Sequence, residues 1–187
     1  LSTEDVVLVN TNFENGLGIT TWTASPANVF CTYEDCGDYC ANSGEHFIYF
    51  GKNVGLDFVE RSLIIPDCNS AELNFMFSAP SCAPFGSIIR VLVDGTAVWT
   101  ENTGYANCDS PIYSQISVNL NAYANGNAHS IRIEAQAGNS DFLVDDIKIC
   151  ATACTGVELA PKVFLQGPLS GTTMNMNLNS AGLIPNS

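Results

Sequence analysis

Short segments in which apolar and polar residues alternate recur along the chain, separated by clusters of Gly, Pro, Asn and Ser. No helical period persists for ten residues, so the pattern predicts strands throughout. The series runs Val6–Phe13, Glu45–Gly51, Arg61–Pro66, Ala71–Ala79, Ser87–Trp99, Ser114–Leu120, His129–Ala137 and Phe142–Cys150. In "AELNFMFSA" the residues Leu73, Phe75 and Phe77 share one face, with Glu72 and Asn74 on the other. Asp94-Gly95 divides Ser87–Trp99 into two strands, because this dipeptide suits the tight turn of a hairpin. Eight or nine short strands, each with one apolar face, predict an all-β antiparallel sandwich. The period fails after Cys154. Residues 155–187 contain one strand-like piece, "KVFLQGPL", and read as a C-terminal arm or linker beside a sandwich over residues 1–154.

"FLVDDIKIC" raises a specific problem. It sets Asp145 and Asp146 inside an apolar run, where a strand must turn one of them inward. A bare carboxylate there costs several kcal/mol. Plain alternation groups Asp145 with Leu143, Ile147 and Ile149, and Asp146 with Lys148, so Asp145 is expected on the core side.

Composition narrows the classes of partner. The 187 residues include 46% apolar and 13% charged positions, enough for one sizeable core. Six Lys and Arg against 19 Asp and Glu give a net charge of -13, which argues against nucleic acid and against an anionic membrane surface. No apolar run approaches the roughly 18 residues of a membrane span, so membrane insertion is not expected. The first residue is Leu1, as in a mature or excised piece. The eight cysteines are Cys31, Cys36, Cys40, Cys68, Cys82, Cys108, Cys150 and Cys154. Their spacings, C-x4-C-x3-C and a lone C-x3-C, do not match paired zinc-ligand motifs. Four disulfides and a secreted, extracellular location are the better expectation, with Cys150–Cys154 as a local clip and Cys82–Cys108 joining two loops.

Three motifs occur in a familiar order. "NTNFENGLGITTW" (Asn10–Trp22), "NSGEHFIYFG" (Asn42–Gly51) and "FLVDDIKI" resemble signatures of galactose-binding-like jelly rolls, a group that includes carbohydrate-binding modules and, more distantly, MAM-type adhesion domains. The resemblance implies that the first and last strands lie together. It also implies a structural Ca2+ held by Glu14 and by Asp145 or Asp146, with oxygens from Asn42, Ser43 and Gly44. Calcium takes six to eight hard oxygen ligands, and a divalent ion reverses the repulsion between neighbouring carboxylates.

No motif for a nucleophile, a catalytic zinc or a phosphate loop is present, and neither His46 nor His129 has a sequence-suggested catalytic partner. The expected function is therefore non-catalytic recognition: a glycan-binding or adhesive module on a bacterial cell surface. Trp22 and Trp99 are expected to pack in the core. Tyr33, Tyr39, Tyr105 and Tyr113 are the candidate exposed rings for sugar stacking. Two alternatives follow from other features. One is a subunit that self-assembles into an extracellular filament, adding residues 156–187 as a strand to another copy; the other is an accessory domain of a larger secreted enzyme.

Overall fold

The computed structural model describes residues 6–14, 21–26, 29–36, 39–51, 55–81, 87–102, 110–137 and 140–154. They form an all-β jelly-roll sandwich of eleven strands. The strands are β1 (Val6–Thr11), β2 (Thr23–Ser25), β3 (Phe30–Thr32), β4 (His46–Phe50), β5 (Leu56–Ile64), β6 (Cys68–Ser81), β7 (Ile88–Val93), β8 (Thr96–Asn102), β9 (Ser110–Asn119), β10 (Ala128–Gln136) and β11 (Asp141–Cys154). Every expected segment is a strand, and β2 and β3 are additional. At three residues each, these two are too short to show a period. The C-terminal arm, and with it the assembly surface expected at 156–187, lies outside the described residues.

One sheet has the order β3-β4-β11-β6-β9, with β1 also paired to β11; the other has the order β2-β5-β10-β7-β8. All pairings are antiparallel. The inward residues of both sheets meet in one core. It contains Leu73, Phe75 and Phe77 from β6, Ile89, Val91 and Val93 from β7, and Ile131 and Ile133 from β10. Burying a side chain of this size contributes about 1.5–3 kcal/mol. Trp22 is buried, and Trp99 packs edge-on against Phe75 and Phe77, as expected for packing aromatics. Asp94 and Gly95, at φ 50° and 79°, make the β7–β8 turn that their sequence demands. Outward from the five-stranded sheet, Arg132 pairs with Glu60 and covers the Phe58 ring, while Arg90 pairs with Glu134.

The last strand corrects the face assignment. β11 pairs Asp145 with Met76 but Lys148 with Asn74, so three residues of β11 span two of β6. This bulge, with Asp146 in the left-handed region at φ 49°, switches the alternation. Phe142 and Val144 face the core before it, and Ile147, Ile149 and Ala151 after it. Asp145 is fully buried as expected, but on the outward side of the sheet with Leu143, beneath a loop.

The cysteine pairing also departs from expectation. Cys154 bonds to Cys68, its register partner across β11 and β6, and not to Cys150. Cys150 is a free thiol, because its neighbours across the ladders are Glu72 and Val7. Cys40 is also free, so the cysteines are not all paired. Cys31 bonds to Cys36, while Cys82 and Cys108 lie outside the described residues. The Cys68–Cys154 bridge closes a separation of 86 residues. Replacing both cysteines with alanine should therefore cost about 4 kcal/mol, read as a lowered urea midpoint under non-reducing conditions. An unchanged midpoint would show that the bridge adds nothing to the ladder around it.

Candidate functional site at the junction of β1, β4 and β11

Along one edge, β11 changes partner. Residues Phe142–Val144 pair with β4 and residues Ile147–Ala151 with β1, and the acidic pair lies between. The first and last strands are thus neighbours. Into this junction comes the segment Asn42–His46, which leads into β4. Three carboxylates grip it.

Asp145 Oδ2 accepts the amide N–H of Asn42 at 2.8 Å and of Ser43 at 3.0 Å, while its Oδ1 accepts that of Asp146 at 2.7 Å. Asp146 accepts the Asn42 side-chain amide at 2.7 Å and the Ser43 hydroxyl at 2.6 Å. Glu14, in the turn after β1, accepts the amides of Glu45 at 2.9 Å and His46 at 2.7 Å on Oε1, and its Oε2 lies 3.2 Å from His46 Nδ1. Gly44 makes the fit possible: its φ is 67°, and a Cβ there would stand 2.3 Å from Glu14 Cδ. The residues expected as ligands do converge. As arranged, Asn42 and Ser43 present donors to the carboxylates through their amides and side chains.

The two kinds of carboxylate differ in charge preference. Burial pushes Asp145 up to about 7, aided by the neighbouring Asp146 charge and only partly countered by its three amide donors. Burial also raises Glu14, but the amides of His46 and Glu45 and the His46 ring outweigh it and hold Glu14 below its ordinary value. The described partners of Asp145 and Asp146 are neutral N–H and O–H groups. Among the described residues, no three acidic, histidine or cysteine side chains are close enough to form a metal site by themselves. The chemistry of the donor set suits a hard cation such as calcium: carboxylate oxygens from β11 and from the turn after β1 lie around one short segment, and one carboxylate is buried and poorly compensated.

Beside the junction, a second apolar cluster covers the same outward face. It joins the Cys31–Cys36 bridge, Phe47 and Leu143 with the half-buried Tyr39, Tyr49 and Tyr113. Tyr39 and Tyr49 each donate a hydroxyl to Asp141 at 2.6 Å. Burial, then the hydrogen bond to Asp141 and its charge, push Tyr39 up to about 12 and Tyr49 further. Tyr113 donates to the Cys40 carbonyl at 3.0 Å. Tyr39 and Tyr113 are therefore packing residues with satisfied hydroxyls, not the open rings expected. Tyr33 is 53% exposed, and Tyr105 lies outside the described residues. Sequence reasoning missed the Tyr–Asp141 clamp, whose members are up to 102 positions apart. It also missed the carboxylate partners of both histidines, Glu14 for His46 and Asp94 for His129, although Glu14 and His46 lie in two of the quoted motifs.

No protein-family model and no curated protein sequence matches the chain. Solved structures do match in fold. The galactotriose-bound module TmCBM61 aligns at 14% identity and TM-score 0.52, covering 74% of this chain and 92% of its own. The CBM22-1 xylan-binding domain of Paenibacillus barcinonensis Xyn10C aligns at 14% identity and TM-score 0.53, covering 83% and 100%. The K3 cleaved adhesin domain of Lys-gingipain from Porphyromonas gingivalis aligns at 12% and 0.52, covering 77% and 99%. The chain has the galactose-binding-like jelly-roll fold of carbohydrate-binding modules.

Asp145 gives a signed prediction for protein kept in chelator. Its folded-state proton affinity exceeds that of the unfolded chain, whose carboxyl titrates near 3.8. Its contribution is complete below about pH 4 and is lost as pH rises to about 7. Urea unfolding between pH 4 and 7 should show stability falling with pH, and Asp145→Asn should flatten that slope. Equal slopes in the two proteins would exclude Asp145 as its source.

Proposed function

We propose that the chain is a non-catalytic extracellular module that binds neutral glycans and carries a structural Ca2+ at the carboxylate junction. The observation that supports the sugar reading is a preorganised polar row on the outward face of the six-stranded sheet. Asn74 Oδ1 accepts Gln115 Nε2 at 3.1 Å and also the Ser117 hydroxyl, while Asn74 Nδ2 donates to Glu72 Oε2 at 2.9 Å. These groups sit side by side on β6 and β9, and Tyr113 continues the β9 row toward the tyrosine cluster. Fixed carboxamides, hydroxyls and a carboxylate are the groups that pair with sugar hydroxyls. A net charge of -13 favours a neutral sugar over a uronate or sulfated one. Among the structural neighbours, one holds β-1,4-galactotriose and another is a xylan-binding domain, and both belong to the proposed ligand class. Two disulfides suit an oxidising compartment outside the cell. Among the described residues, no helix is long and apolar enough to cross a membrane.

At the junction, Asp145, Asp146 and Glu14 would hold the ion, with further oxygens from the Asn42–Gly44 segment. The ion would supply positive charge against carboxylates now served by neutral donors.

Two measurements test these claims. In calcium-containing buffer, calorimetric titration with neutral β-linked oligosaccharides, β-1,4-galactotriose and xylohexaose among them, should detect binding to at least one. The double variant Asn74→Ala/Gln115→Ala should weaken that binding at least tenfold, on the order of 1.4 kcal/mol, with an unchanged melting curve. Failure of the folded protein to bind any neutral oligosaccharide would overturn the glycan reading. For the ion, calcium at a hundredfold excess over its Kd should add about 2.7 kcal/mol of stability, and chelator should remove it. Melting curves that coincide in calcium and in chelator would refute the ion site.

A further inference from the structure

The six-stranded sheet ends at β9, and among the described residues no strand lies on its far side. Leu120, one residue past β9, donates its amide to the Ala71 carbonyl on β6 at 2.9 Å. Backbone groups of an antiparallel strand alternate in direction, so Ser114, Ile116 and Val118 also turn theirs toward β6, opposite Phe77, Phe75 and Leu73. Gln115, Ser117 and Asn119 therefore turn their N–H and C=O groups to the open side. Natural sheet edges are blunted by charge, proline, a bulge or brevity. The other edges of this sandwich follow that rule. β2 and β3 have three residues each, β8 carries Glu101, and β1 has a register shift between Val7 and Val9. In β9 only the first part is blunted, by Pro111 and by an irregular register against β6. The remainder, "SQISVN" (Ser114–Asn119), contains no proline, glycine or charged residue, in a chain of net charge -13.

We propose that Ser114–Asn119 is a self-association edge. On it the same strand of a second copy docks antiparallel, about a two-fold axis at Ser117. That register sets Ser117 opposite its own equivalent and Gln115 opposite Asn119, so each open N–H of one edge meets a carbonyl of the other. Charge favours a second copy as the occupant. Two molecules this acidic can pair only where neither presents a carboxylate, because like charges set opposite each other destabilise a ladder. A cationic partner finds no counter-charge on this edge. The two-fold axis is normal to the sheet, so the outward faces of both copies lie on the same side. Their Asn74–Gln115–Ser117 rows then adjoin across strands about 4.8 Å apart. For a glycan polymer this makes one extended binding face, a consequence that rests on the glycan reading, as the association itself does not.

Hydrogen exchange followed by NMR on the full chain, without sugar, tests the edge. In concentrated protein the amides of Gln115, Ser117 and Asn119 should exchange about tenfold more slowly than in dilute protein, while those of Ile116 and Val118 are slow in both. Sedimentation of the concentrated sample should show a species of twice the mass of one chain. It should dissociate on dilution, as a dimer linked through the exposed Cys40 thiol would not. Ser117→Pro removes an open-side N–H without breaking a bond to β6, a place where an edge strand admits proline. It should abolish both effects, and Ser117→Ala, which keeps the N–H, should preserve them. A monomer at every concentration overturns the proposal. So do open-side amides that are slow even in dilute protein, since another segment of the same chain would then cover the edge. Equal loss of pairing in Ser117→Ala and Ser117→Pro overturns it as well. The exchange comparison on the unaltered chain decides the matter even if Ser117→Pro fails to fold, and its failure leaves the glycan reading standing.

Discussion

The amides of the segment entering β4 need acceptors, and the sheet does not supply them. β11 runs beside β4 for three residues and beside β1 for five, and among the described residues no strand fills the interval between them. Backbone donors in such a gap must still be paired. The chain pairs them with carboxylates, Asp145 for Asn42 and Ser43, and Glu14 for Glu45 and His46. Hydrogen bonds to a charged acceptor are stronger than ladder bonds between neutral groups, a gain that burial offsets at Asp145. Side chains thus continue the ladder where backbone cannot. The bulge at Asp146 exists for the same reason, since it turns two successive acidic side chains toward one segment.

That solution fixes the character of the outward face. Asp145 is buried because a loop and an aromatic cluster close over the sheet, not because it points into the sandwich. The Cys31–Cys36 bridge, Phe47 and Leu143 form the floor of this cover, and Tyr39, Tyr49 and Tyr113 complete it with their hydroxyls satisfied. Farther along β6 and β9 the cover ends, and the same face turns polar at Asn74, Gln115 and Ser117. One sheet face therefore has a sealed end that maintains the fold and an open end with groups available to a ligand. Conversely, the outward face of the other sheet is occupied by its own Arg–Glu pairs, a reason to look for recognition elsewhere.

Much of this was legible in the sequence where local rules operate. The Leu73–Phe75–Phe77 alternation, the Asp94-Gly95 turn and the meeting of the first and last strands depend on period, turn chemistry and motif order. The structure agrees with each. The face of Asp145 was misread because one inserted residue inverts every later position, and alternation alone cannot reveal a bulge. The Cys68–Cys154 bridge was illegible because pairing depends on register between strands far apart in the chain. Of the expected site, Glu14, Asp145, Asp146 and residues 42–44 do come together. Tyr39 and Tyr113 were misjudged because their hydroxyl partners, Asp141 and the Cys40 carbonyl, are remote in sequence, whereas Tyr33 is exposed as expected.

At the junction a buried carboxyl is pushed toward neutrality because three amide donors do not repay its desolvation. A proton makes up the difference at Asp145. Glu14, by contrast, is held ionised by its donors, the amides of His46 and Glu45 and the His46 ring. Two carboxylates grip one segment, one poised near neutrality and one committed to its charge, so between pH 4 and 7 the hold on that segment varies through Asp145.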